Sequence, residues 1–252
     1  MAKQLPLTGL VVGTVPRFAL VCGDPQRAQR IAEHLTDTRL LTQQREYHAY
    51  WGTYQGIPVA VCSHGIGAPG AAIAFEELIA AGADCIVRVG TCGGLQTSIH
   101  KGHLVVATAA VQYTGYGRET MPEGYPAVAD LDVTVALRDA ARQTDVPTHT
   151  GIVISRDNFY AGVQTPHTPH YQTLSGANVL AVEMECAPLF LLGSLRRVRT
   201  GAILAVDGNV LDEGENMNTY DPHAQMMHDA VAVGIGVALT AVANLHAQLP
   251  VS

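Results

Sequence analysis

Short apolar runs alternate with longer stretches of helical spacing along most of this chain. Phe18 to Cys22 is continuously apolar, ends in Gly23-Asp24-Pro25, and is followed from Gln26 to Leu35 by a 3.6-residue apolar period; the pattern predicts strand, turn and helix. Tyr47 to Tyr54 and Val59 to Cys62, separated by Gln55-Gly56-Ile57-Pro58, predict a hairpin. Pro69 to Ala81 predicts an alanine-rich helix, and Asp84 to Val89 a buried strand closed by Gly90-Thr91-Cys92-Gly93-Gly94. Leu104 to Ala107 and Gly151 to Ser155 read as short strands, Val133 to Arg142 as a short helix, and Pro222 to His246 as a long one. Gln112 to Tyr125, rich in Gly, Tyr and Pro, predicts a loop that lines a site. Val179 to Val182 predicts a buried strand running into a helix from Cys186 to Arg197, whose Pro188 fits only in its first turn. Gly201 to Val206 predicts another buried strand, ending on Asp207. Strands alternating with helices predict an α/β fold, a central mixed sheet covered on both faces within a single domain over residues 1–252.

Composition narrows the class. Hydrophobic content of 48% with 25 glycines and 15% charged residues describes a compact globular chain with many tight turns. No run approaches the about eighteen apolar residues needed to span a bilayer, and Met1 to Leu10 lacks a long apolar segment, so the expected location is cytoplasmic. Five cysteines, an odd number without a CxxC pair, predict reduced, buried thiols, no disulfide and no zinc site. A net charge of −7 disfavours a nucleic-acid or anionic-membrane surface. Any anionic ligand must then be held locally, which draws attention to Arg27, Arg45 and Arg88 near Gly-rich turns or strand ends.

Candidate chemistry concentrates at three carboxylates, Glu183, Glu185 and Asp207, each at the end of a strongly apolar run where an ionised group is costly unless something uses it. Ligands collect at the carboxyl ends of strands in open α/β sheets, so these acids are expected to share a crevice. The plainer reading is a helix-capping pair plus a turn aspartate. Gly23 with Arg27, Arg88 with Thr91, and the turn holding Arg45 could each present NH groups or a guanidinium to an oxyanion of the size of inorganic phosphate. Taken singly, each arginine also reads as a surface salt bridge. Gly65-Ile66-Gly67-Ala68-Pro69-Gly70 matches GxGxxG, but the acidic residue expected about twenty positions on is absent, so it reads as a turn that lets a ligand approach the backbone rather than as an NAD site. His167 and His170 lack further ligands at metal spacing and read as a polar loop, and His64 as a structural histidine. Phe159 and Tyr160 fit either core aromatics or a stacking wall.

Read together, GDPQR at 23–27, REY at 45–47, SHGIGAPG at 63–70, RVGTCGG at 88–94, VEMECAPLF at 182–190 and VDG at 206–208 resemble the nucleoside phosphorylase family, the hexameric purine nucleoside and uridine phosphorylases. The stretch from Gly193 to Gly201, with AVDG and then DEGE at 212–215, looks most like the purine enzymes of malaria parasites. The resemblance implies a mixed sheet with a distorted barrel, assembled as a trimer of dimers. It implies that Gly23, Arg27, Arg88 and Thr91 bind phosphate, with Arg45 reaching in from a neighbouring subunit. Met184 and Glu185 would hold the ribose; Phe159, Tyr160, Val182 and Glu183 would line the base and sugar pocket; Asp207 would face the purine imidazole edge as general acid. Phosphate would be the co-substrate of a pentosyl transfer that needs no cofactor and no metal. The loop Ala161-Gly162-Val163-Gln164-Thr165-Pro166 has a Gln but lacks the Arg that uridine-specific relatives pair with it, which favours purine over uracil. The region where the family places an N-terminal histidine reads Leu5-Pro6-Leu7-Thr8, so the 5′ end is apolar, relaxed or served by another group, and an apolar replacement would favour 5′-deoxy or 5′-methylthio nucleosides. Other expectations to be separated are uridine or methylthioadenosine phosphorylase, a nucleosidase of the same fold that uses water, and a non-catalytic nucleoside-binding protein.

Overall fold

The structure, a computed structural model, describes residues 3–160, 162–212, 214, 215 and 225–249. Ala161, Glu213 and the expected helix start at 222–224 lie outside the described residues. The elements run β1 (Phe18–Cys22), α1 (Pro25–Ala32), β2 (Thr36–Gln44), β3 (Tyr47–Tyr54), β4 (Ile57–Ser63), α2 (Ala68–Ala81), β5 (Cys85–Gly94), β6 (Leu104–Tyr113), α3 (Gly115–Thr120) and β7 (Ala127–Val128). There follow α4 (Leu131–Ala141), β8 (Thr148–Arg156), α5 (Tyr171–Gly176), β9 (Ala181–Glu183), α6 (Cys186–Arg196), β10 (Arg199–Asn209) and α7 (Gln225–Ala247).

All strands belong to one mixed sheet in the order β10-β6-β8-β9-β5-β1-β4-β3-β2, with β7 beside β6. A further pairing of β10 with β5 closes β5, β10, β6, β8 and β9 into a barrel, from which β1, β4, β3 and β2 extend as an open wing. Burial explains the continuous apolar runs. Along β1, Phe18, Leu20 and Cys22 join one core with Ile31, Leu137 and Val242, while Ala19 and Val21 join the other with Phe75, Leu78 and Phe190. A third, smaller core gathers Leu95, Ile154 and Val179.

The hairpin of β3 and β4 turns on Gln55 and Gly56, at φ 49° and 79°, the left-handed pair that matches strand twist in a two-residue loop. Several expectations are corrected. β2, TDTRLLTQQ, is mostly exposed and carries no apolar alternation, so the pattern gave no sign of it. The segment expected to be a site-lining loop instead extends β6 to Tyr113 and forms α3, whose start is fixed by Thr114 and by the Asp157 carboxylate accepting from Gly115 N at 2.7 Å; it does not line the cavity described below. β5 and β10 run on through their glycines to Gly94 and Asn209 because each pairs with the other along that whole length. α7, contrary to the expectation that no run is long and apolar enough to span a bilayer, meets that test, yet its Met227, Val231, Ile235, Leu239 and Val242 are buried in the second core. All five cysteines are free and buried, and burial pushes the Cys22 thiol up to about 12.

Candidate active site

A cavity of about 930 Å³ opens where β1, β5, β8, β9 and β10 end. At one corner the Asp24 carboxylate accepts from Gln26 N at 2.9 Å and Arg27 N at 3.2 Å, and Pro25 fills the first turn, so α1 starts at the cavity wall with its amide end facing it. A Cβ on Gly23 would lie 3.1 Å from Gly65 O, so this turn and the 65–67 turn pack backbone to backbone. Arg27 Nη1 donates to Val89 O at 3.4 Å, and burial lowers the Arg27 pKa. Its Nε is buried without a protein partner.

Arg88 projects from β5 into the centre of the site. Nη2 donates to Glu185 Oε2 at 2.5 Å and to Glu183 Oε2 at 3.4 Å, while Nη1 donates to His64 Nε2 at 3.3 Å. Burial opposes the Arg88 charge, but Glu185 and Glu183 outweigh it and raise its pKa. A Cβ on Gly90 would fall 2.6 Å from the guanidinium carbon, so the absence of a side chain there is what makes room for it. His64 is buried and held neutral, first by desolvation and then by Arg88; Nδ1–H donates to Gly65 O at 2.8 Å. It is a structural histidine, as its sequence context suggests.

The two glutamates do different work. Glu183 turns back onto the start of α6 and accepts from Glu185 N at 2.7 Å, from Cys186 N at 2.9 Å and from the Ser155 hydroxyl. Ser155 in turn accepts from Ala187 N at 2.8 Å. Glu183 thus fits the helix-capping alternative, and although it borders the cavity its oxygens are engaged by the protein itself. Glu185, at the N-cap position, makes no side-chain bond to the helix end and points into the cavity, where Oε1 accepts from Gly67 N at 2.6 Å and Oε2 from Arg88. Burial and the adjacent Glu183 raise its pKa against the pull of Arg88. Gly67, at φ 93°, supplies that amide, so the Gly-rich turn serves a carboxylate of the chain instead of standing open to a pyrophosphate.

Asp207 reaches the cavity because β10 slips register against β5 between Val206 and Gly208. A bulge of this kind re-aims one side chain, here a half-buried one. Thr91, Met184 and Val182 line the same cavity. Phe159 and Tyr160 are not core aromatics: they stand 48% and 69% exposed at its mouth, edge to face at 5.2 Å. Arg45 is the one predicted site residue not brought in; it sits exposed in the β2–β3 turn at φ 54°, while its neighbour Glu46 lines the cavity. Leu5 and Thr8 do not line it either, the Thr8 hydroxyl and amide being held by Glu77 at 2.6 and 2.7 Å. His167 and His170 are exposed, and His170 caps α5.

Arg156, Asn158, Tyr171, Cys92 and Val210 also line the cavity and were not anticipated. Arg156 follows the predicted strand Gly151 to Ser155 but precedes no Gly-rich turn, the feature that draws attention to Arg88, so that criterion passes over it.

The sequence profile of the phosphorylase superfamily matches residues 17–243. The uridine phosphorylase of Treponema pallidum is 42% identical over 85% of this chain and 86% of its own length. The purine nucleoside phosphorylase of Plasmodium vivax is 40% identical over 88% and 90%. Among solved structures, the purine nucleoside phosphorylase of Toxoplasma gondii in complex with immucillin-H superposes with a TM-score of 0.89 at 34% identity, covering 99% of this chain and 98% of that one. With fold, motifs and profile in agreement along nearly its whole length, the chain belongs to the nucleoside phosphorylase family.

Proposed function

We propose that this chain cleaves nucleosides with inorganic phosphate, giving free base and pentose 1-phosphate, purine nucleosides being the preferred class. The observation that carries the reading is that half-buried Arg27 and buried Arg88, each with a buried Nε that has no partner, share one cavity with Glu185 and Asp207. Guanidinium donors beside a helix N-terminus suit a phosphate dianion, and Gly23 and Thr91, which line the same cavity, can add to its cradle. Each Glu185 oxygen keeps acceptor capacity beyond its bond to Gly67 or Arg88, which suits the ribose 2′ and 3′ hydroxyls, with Met184 against the sugar. Phe159, Tyr160 and Val182 provide a wall for the base.

In the reaction a phosphate oxygen forms a bond to C1′ as the C1′–N bond breaks, and the bonding pair leaves with the base. Positive charge building on the sugar is stabilised by the dianion held beneath it. Asp207 donates a proton to the purine N7 side, which turns the base into a competent leaving group. Phosphate is a co-substrate and no cofactor takes part. Arg45, exposed on its hairpin and absent from its own cavity, completes the phosphate site of a neighbouring copy in a hexamer that acts in the cytoplasm.

Release of free base from inosine, 5′-methylthioadenosine and uridine, each with and without millimolar phosphate, tests the proposal. Cleavage that requires phosphate is expected. Cleavage at equal rate without phosphate would make the protein a nucleosidase, and binding without cleavage would make it a nucleoside-binding protein. A faster rate with 5′-methylthioadenosine than with adenosine, which share a base, would support an apolar 5′ site at the Leu5-Pro6-Leu7 replacement.

A further inference from the structure

One cavity-lining arginine takes no part in the phosphate or sugar contacts. Arg156 is the last residue of β8, one step beyond Ser155, which stands opposite Glu183 in the β8–β9 register. Side chains alternate along a strand, so Arg156 shares a face with Ile154 and not with Ser155. That face carries the third core, Leu95, Ile154 and Val179, with Tyr171 and Val182 packed against it. The guanidinium therefore sits at the rim of an apolar floor. Nη1 donates to the Tyr171 hydroxyl at 2.5 Å and the guanidinium carbon lies 5.7 Å from that ring's centroid. Nε is buried without a hydrogen-bond partner, and among the described residues Arg156 forms no ion pair. In the sheet, β9, which ends on Glu183, separates β8 from β5, which carries Arg88. Arg156 is thus remote in the wall from the phosphate donors and faces the same space as Phe159, Tyr160 and Val182.

We infer that Arg156 determines base specificity, selecting bases that present carbonyl oxygens, 6-oxopurines or uracil, over 6-aminopurine. The inference rests on the phosphorolysis reading of this cavity. A guanidinium only donates, so it pairs with a carbonyl acceptor, whereas an exocyclic amino group meets it donor to donor. On an apolar floor both groups are then left unpaired, which sets the discrimination on the order of 10- to 100-fold. The 161–166 loop lacks an arginine for a uracil carbonyl, but Arg156 lines the same cavity from the end of β8 and can serve that carbonyl in its place.

The test is kcat/KM for inosine, uridine and adenosine at saturating phosphate in the wild type, Arg156→Ala and Arg156→Lys, with thermal unfolding to confirm that each variant folds. The wild type is expected to favour inosine or uridine over adenosine. Arg156→Ala should lower the favoured carbonyl substrate about 10- to 100-fold while adenosine changes by less than about threefold, and Arg156→Lys, which keeps a donor, should restore part of the loss. The substrate that loses more identifies the base, 6-oxopurine or uracil. Equal losses for all three substrates, no loss for any, or a wild type that prefers adenosine would overturn the inference. Calorimetric binding of hypoxanthine, uracil and adenine separates it from the reaction itself. If no nucleoside is cleaved, phosphorolysis fails; selective loss of hypoxanthine or uracil binding in Arg156→Ala would still sustain the role of Arg156, and unchanged binding of all three would end it.

Discussion

Glu183 and Glu185 stand 5% and 4% exposed, with Arg88 at 4% between them, and their carboxylates are tied to four backbone amides or hydroxyls of β8, α2 and α6 as well as to that arginine. Elsewhere along the cavity lining Phe159 and Tyr160 stand 48% and 69% exposed on a loop, with their rings edge to face. The first wall is preorganised by the fold, and its charges are fixed before any ligand arrives. The second is a surface whose residues can change without disturbing the sheet. Under the proposed function, a site divided in this way would keep one chemistry while its choice of base varies, since a rigid scaffold would position the reacting groups and a loop supply recognition.

The strongest way to break that division is to remove the charge at its centre. Arg88→Ala leaves Glu183 and Glu185 buried without their cation, and loss of one partner from a buried pair costs about 3–5 kcal/mol. We expect a lowered unfolding midpoint together with at least about a 10³-fold fall in kcat/KM, since phosphate loses its central donor. Wild-type stability in this variant would mean that the buried wall is not held by the ion pair. Asp207→Asn probes the chemistry without touching that network. Asparagine keeps the size of the side chain but gives up the acid proton, so kcat should fall about 10²- to 10⁴-fold while the KM for phosphate stays near the wild-type value. An unchanged kcat would remove Asp207 from proton transfer.

The same division explains what the sequence could and could not reveal. Carboxylates at the ends of apolar runs are conspicuous because burial makes them costly, so Glu183, Glu185 and Asp207 stood out, as did Arg88 and the strands that carry them. Spacing could not tell that Glu183 turns back to cap α6 while Glu185 points forward, because that depends on Ser155 and Gly67 approaching from distant elements. β2 escaped notice because its outer face is solvated and its apolar period absent. Arg156 escaped because an arginine before a polar loop resembles any surface cation until the register places it over the third core.

Two smaller changes sharpen the comparison from the buried side. In Gly90→Ala the new Cβ would lie 2.6 Å from the Arg88 guanidinium carbon and must displace it, so the KM for phosphate should rise about tenfold with the nucleoside KM less affected. An unaltered phosphate KM would show that Arg88 has room to move. His64 gives a pH signature. Its folded pKa is depressed below the ordinary 6.5, so it contributes stability above that pH which is lost as pH falls, by at most about 1.4 kcal/mol per pH unit. Urea midpoints taken between pH 7.5 and 5.5 should decline in the wild type and decline less in His64→Gln; parallel declines would assign the acid sensitivity to other groups.

The smallest effect is expected on the exposed wall. Phe159→Ala removes a ring that is about half in solvent and packs edge to face on Tyr160, so little folding energy depends on it and the unfolding midpoint should move by less than about 2 °C. In the proposed function the ring provides area against a flat base, which would contribute to substrate and transition state alike. The nucleoside KM should therefore rise about tenfold with kcat and the phosphate KM nearly unchanged, the pattern of lost uniform binding. Steady-state kinetics with each substrate varied in turn read this directly. A fall in kcat as large as that of Asp207→Asn would mean that the aromatic loop closes over the reacting atoms and belongs with the catalytic wall, and the division between a rigid chemical half and a replaceable recognition half would no longer hold.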